Sequence, residues 1–218
     1  QRRKERKSAL KFVVEGKKMI EELIENNGLF RYNIYTTDED FAEKHDAIPV
    51  NKVQMEQMSG QKSPSGYLAV VDTVMDQKLP VEGKVLVLDE IKDPGNLGTI
   101  LRIADWFGIG AIILSENTVD EYNPKVVQAS MGSIFRVTIC RTDLLSCFKV
   151  WNHDVMGMVL EGAPLQQQQI SNNMAVVIGS ESHGIRSSVL PYLTQKARIE
   201  GVGDAESLNA AIATAIIT

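Results

Sequence analysis

The stretch VLVLDEIKDPGNLGTILR, residues 85–102, decides how the larger part of this chain is read. Residues 85–89 form an apolar run of strand length that closes on an acid, and turn-forming residues follow it. A helix is expected to start near Asn96, with Asn96 itself as the N-cap and Ile100, Ile103 and Phe107 burying one face. Arg102 lies part of a turn away from that face. A dinucleotide loop would need G-x-G-x-x-G between strand and helix, and only Gly95 and Gly98 occur here, at the wrong spacing.

The pattern repeats downstream. AIIL at 111–114, IFRVTI at 134–139, VMGMVL at 155–160, AVVIG at 175–179 and ARI at 197–199 are short apolar runs bounded by turn residues. Such runs are expected of a mostly parallel sheet covered by helices on both faces, an α/β fold. SLNAAIATAIIT at 207–218 reads as a last helix with Leu208, Ala211, Ile212, Ala215 and Ile216 on its packed face. That pattern reaches the final residue without a stop signal, so a longer native chain is expected. Gln166 to Gln169 read as an exposed polar segment.

Upstream, shorter elements alternate. Phe12, Val13 and Val14 form a strand that Gly16 breaks. Met19, Ile20, Leu23 and Ile24 recur at helical spacing until Asn26, Asn27 and Gly28. Strands are expected at 32–36, 48–50 and 67–71, with short helices at 41–44 and 53–58. The polar stretch 76–84, with Pro80 and Gly83, reads as a linker. The expected division is therefore a small α/β domain at 1–75, the linker at 76–84 and a larger domain at 85–218.

Composition narrows the partners. The 218 residues are 44% hydrophobic and 23% charged, as for a soluble globular protein. No apolar run reaches the roughly 20 residues that span a bilayer. The basic start, QRRKERKSALKF, leads into no apolar signal region, so a cytoplasmic location and no membrane partner are expected. Cys140 and Cys147 are too few and wrongly spaced for a disulfide framework, and free thiols are expected. His45, His153 and His183 are scattered, so no metal site is expected and His183 reads as surface. The formal net charge is −5, but residues 1–18 hold eight basic residues against Glu5 and Glu15. That leaves a basic arm on an acidic body, and a local cluster can still grip phosphates because screening over roughly 8 Å hides distant charge.

Two more strand ends open into polar loops. VVIGSESHGI at 176–185 places glycines around Glu181 and His183, at the carboxyl end of a strand where open α/β sheets bind ligands. RIEGVGDAESLNAAIATA at 198–215 runs from strand through a glycine-rich turn into the last helix, with Asp204 or Ser207 expected to cap it.

Taken together, these loops resemble the three motifs of the SpoU (TrmH-like) RNA 2'-O-ribose methyltransferases of the SPOUT superfamily. The matching features are Asn96 with Arg102 after an apolar strand, Gly179-x-Glu181-x-x-Gly184 after a second, and Ile199 followed by Glu206, Ser207, Leu208 and Asn209. FVVEGKKMIEEL near the start resembles the family's small RNA-substrate-binding domain. The sequence departs from many relatives at Glu200, where they carry proline, and at Ser180-Glu181-Ser182, where they carry Asn-Glu-Gly.

The resemblance implies a C-terminal trefoil knot, a homodimer and S-adenosylmethionine as cofactor, lined by Leu160, Gly179, Ile199 and Leu208. It implies Asn96, Arg102, Glu181, Ser207 and Asn209 as the polar active-site residues. The implied substrate is a ribose 2'-hydroxyl in RNA, ribosomal RNA in preference to transfer RNA. A structured-RNA-binding protein that keeps the fold without catalysis is the alternative. Neutralising a guanidinium of ordinary pKa, about 12.5, at pH 7 costs roughly 7.5 kcal/mol, so the arginine is expected to act as a cation rather than as a base.

Overall fold

A computed structural model describes residues 3–26, 30–74, 77–80, 82–205 and 207–218. Asn27 and Gly28, expected to end a helix, lie outside the described residues, as do Arg2, Asp76 and Glu206.

The first part of the chain runs α1 (Arg3–Ala9), β1 (Lys11–Glu15), α2 (Lys17–Glu25), β2 (Tyr32–Thr36), α3 (Glu39–His45), β3 (Ile48–Pro49), α4 (Lys52–Met58) and β4 (Tyr67–Asp72). Its sheet has the order β1-β4-β2-β3, antiparallel except where β2 meets β3. Local chemistry sets the helix starts. Asp38 accepts from the Phe41 amide, and Asn51 and Gln54 cap α4 reciprocally.

The second part runs β5 (Lys84–Asp89), α5 (Pro94–Trp106), β6 (Ala111–Ser115), α6 (Pro124–Ser130), β7 (Thr138–Thr142), α7 (Leu144–Val150), β8 (Asp154–Pro164), β9 (Met174–Gly179), β10 (Gln195–Arg198) and α8 (Ala210–Ile217). The sheet order is β10-β8-β9-β5-β6-β7, with every ladder parallel. The continuous apolar runs follow from burial on both faces. Leu86 and Leu88 join a core with Leu97, Ile100 and Leu101 of α5 and Val126 of α6. Val85 and Val87, pointing the other way, pack with Leu144, Cys147 and Phe148 of α7. Truncating a fully buried leucine such as Leu88 to alanine would cost about 2–5 kcal/mol.

The strand order places the functional loops. β5 lies between β6 and β9, so the chain reverses its direction of travel across the sheet there, and Asp89 at the end of β5 is registered with Gly179 at the end of β9. Ligands of open α/β sheets bind at such a switch point. β8 and β10 close the far side irregularly. Lys196 is registered with Gly157, but the next residue, Ala197, pairs with Ala163, so residues 158–162 bulge out of the ladder. A side chain at Gly162 would lie 2.5 Å from the Ala197 backbone, which requires glycine at that crossing.

The two sheets share one hydrophobic core. Phe12 packs on Tyr122 with ring centroids 4.6 Å apart, and Phe30 meets Phe135 edge-on at 5.5 Å. Arg136 extends this join through Glu22 of α2 and Asp105 of α5, at 2.7 Å to Asp105. Burial opposes ionisation of Asp105, but Arg136 and Ser133 outweigh it and hold its carboxyl below the ordinary range. The segment expected as a linker is also engaged. Gln77 accepts from the Ile139 amide at 2.6 Å along the edge strand β7.

Several expectations need correction. The strand expected over residues 134–139 begins only at Thr138, because Ser133–Phe135 form a 3-10 turn. Ile134, Phe135 and Val137 are apolar because they fill the core between the sheets. Asn96 is not the N-cap of α5. Asp93 is, accepting from the Asn96 amide at 2.8 Å, with Pro94 in the first turn. Neither Asp204 nor Ser207 caps α8, because Asn209 accepts from the Ala211 and Ile212 amides. The packed face of α8 holds Ala210, Ala211, Thr214 and Ile217, whereas Leu208, Ile212, Ala215 and Ile216 are exposed. Phe107 is likewise exposed at the end of α5. Ile199 follows β10 rather than lying within it.

Candidate active site

Freed from capping, the Asn96 side chain connects the three loops. Its amide nitrogen donates to Glu181 Oε1, in the loop after β9. Its carbonyl oxygen accepts from Asn209 Nδ2 at 2.8 Å. Asn209 in turn uses its own oxygen to cap α8. Stretches separated by 85 and 113 residues in sequence are thus tied at one side chain.

The loop carrying Glu181 is rigidly built. Ser180 and Gly184 exchange backbone hydrogen bonds at 3.1 and 2.9 Å, closing a tight turn on the strand end. A Cβ on Gly179 would sit 2.1 Å from the Gly184 carbonyl carbon, so the glycine is required by this loop's own backbone. Past the turn, Arg186 donates to the fully buried Asp89 from its backbone nitrogen at 2.9 Å and from Nε at 2.6 Å. Asp89 and Arg186 were not singled out in the sequence. A carboxylate ending a buried strand was the available signal, but its partner nearly a hundred residues later could not be read from spacing.

Arg102 is exposed on α5 and has no hydrogen bond or ion pair among the described residues. It lies six residues beyond Asn96, or about 9 Å along the axis at 1.5 Å per residue. Six residues also turn the helix by about 600°, so Arg102 lies roughly 120° around α5 from Asn96. Ser207 is exposed and makes no hydrogen bond among the described residues.

The apolar residues expected to line the cofactor are at least partly accessible. Leu160 projects from the bulge of β8 at 77% exposure, and Leu208 is 45% exposed just ahead of the Asn209 cap. Ile199 is half-buried after β10. At Gly201 and Gly203 no atom lies within 4 Å of where a side chain would begin, so the backbone there is open to close approach. An adenosyl ligand needs flat apolar contact and backbone hydrogen bonds, and exposed apolar side chains and open backbone are of the kind that supply them.

His183 is exposed, with its ring nitrogen 2.8 Å from the Ser182 hydroxyl. Among the described residues, no group of three or more His, Cys, Asp or Glu side chains could hold a metal ion, and no helix is long and apolar enough to cross a membrane. Cys140 and Cys147 are buried free thiols, and burial pushes Cys147 up to about 11.

Residues 83–218 match the SpoU rRNA Methylase family, and residues 1–69 match the MRM3-like substrate binding domain. The 23S rRNA (guanosine(2553)-2'-O)-methyltransferase RlmP of Bacillus subtilis is 31% identical, with 99% of this chain and 90% of that protein covered. Among solved structures, one assigned to the TrmH family of RNA methyltransferases, from Porphyromonas gingivalis, is 35% identical. It gives a TM-score of 0.89 over 99% of this chain and 91% of that one. An AdoMet-bound rRNA methyltransferase from Sinorhizobium meliloti is 26% identical, with a TM-score of 0.86 over 99% and 88% of the two chains.

Proposed function

The chain belongs to the SpoU rRNA methylase family, and we propose that it transfers the methyl group of S-adenosylmethionine to a ribose 2'-hydroxyl of ribosomal RNA. The observation that carries this reading is the Asn209–Asn96–Glu181 chain of hydrogen bonds, which gathers three strand ends around one point.

Leu160, Ile199 and Leu208 would hold the cofactor by apolar contact, and Gly179 would contribute through the loop turn it permits. When bound, S-adenosylmethionine supplies a methyl group made electrophilic by its sulfonium. The protein's task is then to hold a weak nucleophile in line. Such positioning supplies roughly 7–11 kcal/mol of barrier reduction. Asn96 and Asn209 set the geometry of the acceptor side, and Glu181 fixes Asn96. Ser207, exposed beside them, is a hydrogen-bond donor for the ribose. Arg102 has its five donors free, so its fork can bridge an RNA phosphate and the oxygen losing its proton, which passes to that phosphate or to water.

The same chain is proposed to work as a homodimer. Ile212 and Ile216 on α8, with Trp106 and Phe107 at the end of α5, leave an apolar surface exposed on two helices that pack together. Non-catalytic RNA binding is not favoured, because Asn96, Arg102 and Asn209 are all present.

The direct test is calorimetric titration with S-adenosylmethionine, followed by methyl transfer to bacterial ribosomal RNA and nucleoside analysis. Ribose-methylated nucleosides are expected; base methylation, or no transfer, would overturn the reading.

A further inference from the structure

The helix α1 buries a single side chain, and that side chain is charged. Arg6 donates from Nε to Asp120 Oδ2 at 3.0 Å, and a second guanidinium nitrogen donates to the same oxygen. The Arg6 side chain is 5% exposed and that of Asp120 10%. Asp120 belongs to the larger sheet's side of the molecule and is held there independently. Its other oxygen accepts from the Tyr122 amide at 3.2 Å, and its carbonyl accepts from Asn123 at 3.0 Å.

A helix of seven residues is marginal in water on its own, and α1 has no apolar stripe to bury. Ala9 and Leu10 at its end are exposed. A buried guanidinium–carboxylate pair adds little net stability, because both groups lose their hydration. What it supplies is a fixed position. The residues so positioned are Arg3, Lys4 and Lys7, all exposed and without a hydrogen bond or ion pair among the described residues. Beyond the first 18 residues the chain carries an excess of acidic residues, so α1 is a local cationic surface on an acidic body.

We propose that α1 is a fixed phosphate-binding element, gripping the RNA backbone through Arg3, Lys4 and Lys7 while the Arg6–Asp120 pair holds it in register with the catalytic part of the chain. This rests on the ribosomal RNA reading above and adds a surface to it. Backbone contacts of this kind position a nucleic acid without reading its sequence.

The test is the salt dependence of binding to a short fluorescent RNA hairpin, with Arg3, Lys4 and Lys7 replaced together by Gln. Each lost phosphate contact lowers the slope of log affinity against log salt by roughly 0.7–0.9, so a decrease of about 2 is expected. Lys78, Lys84 and Lys149, replaced together by Gln, remove the same charge elsewhere and should leave the slope unchanged. Calorimetric affinity for S-adenosylmethionine should be unaltered in both variants. An unchanged slope for the α1 variant, or an equal loss for the control variant, overturns the proposal while leaving the function intact. A wild-type protein that binds the hairpin with the expected α1 dependence but never methylates ribosomal RNA overturns the function and leaves α1 as an RNA grip.

Discussion

Asn209 donates to the Asn96 side-chain oxygen at 2.8 Å with one end of its amide and caps α8 with the other. Stability and site geometry therefore meet in one side chain, and they can be separated chemically. Aspartate caps a helix as well as asparagine does, but it has no amide hydrogens to donate. Asn209→Asp should melt within about 1 kcal/mol of the wild type. Its turnover in methyl transfer should fall about 10-fold, the equivalent of one hydrogen bond of roughly 1.4 kcal/mol. Thermal unfolding and steady-state kinetics measure the two effects independently.

Gly179→Ala distinguishes a glycine needed by the loop from one needed only by the cofactor. The added carbon would lie 2.1 Å from the Gly184 backbone, so the turn must move. Overpacking of this kind costs about 1–3 kcal/mol. The cofactor-free protein should therefore melt several degrees lower, by roughly 2–4 °C per kcal/mol. A glycine that only makes room for a ligand would leave the ligand-free melting point where it was.

The two sheets should loosen in acid. The Asp105 carboxyl is held below its ordinary value of 3.8, so the stability it contributes is present above that value and is lost as the pH falls through its lower folded value. Both Asp105 and Arg136 are partly exposed, which limits the contribution to about 1 kcal/mol. Asp105→Asn should be less stable than the wild type at pH 7, and the gap should narrow in denaturant titrations as the pH falls below the ordinary carboxylate value of 3.8.

Charge on the exposed face of α8 should prevent self-association. Ile212→Glu with Ile216→Glu places two carboxylates where the proposed partner would pack, and neither residue belongs to the buried face of the helix. Sedimentation should report half the wild-type mass, with the far-UV circular dichroism of the monomer preserved. An unchanged mass would move the dimer contact elsewhere.

Much of this molecule was legible in its apolar runs. The strands at 85–89, 111–114 and 175–179 are buried on both faces, so hydrophobicity alone marks them. Residues 134–139 have the same composition for another reason: Ile134, Phe135 and Val137 fill the space between two sheets, and a run of apolar residues does not state what it packs against. In α8 the helical period is correct and the phase is not. Its small residues, Ala210 and Ala211, take the close contacts, while the larger Ile212 and Ile216 face outward. At α5 the cap lies three residues earlier than expected, since Asp93 before Pro94 competes better than Asn96. That shift matters for function, because a capping Asn96 would have turned its side-chain oxygen to the amides of α5, and that oxygen instead accepts from Asn209. The polar residues themselves were picked out by resemblance to a family. Their convergence depends on strand order, and order is invisible to spacing.

The central claim is that the gathered loops present an RNA ribose to a methyl donor beside Arg102. It is tested most directly by single-turnover transfer to ribosomal RNA by Arg102→Ala, with cofactor affinity measured in parallel. We expect the rate to fall at least about 100-fold, roughly 2.7 kcal/mol of lost transition-state stabilisation, with cofactor affinity unchanged. Transfer at the wild-type rate would contradict the account.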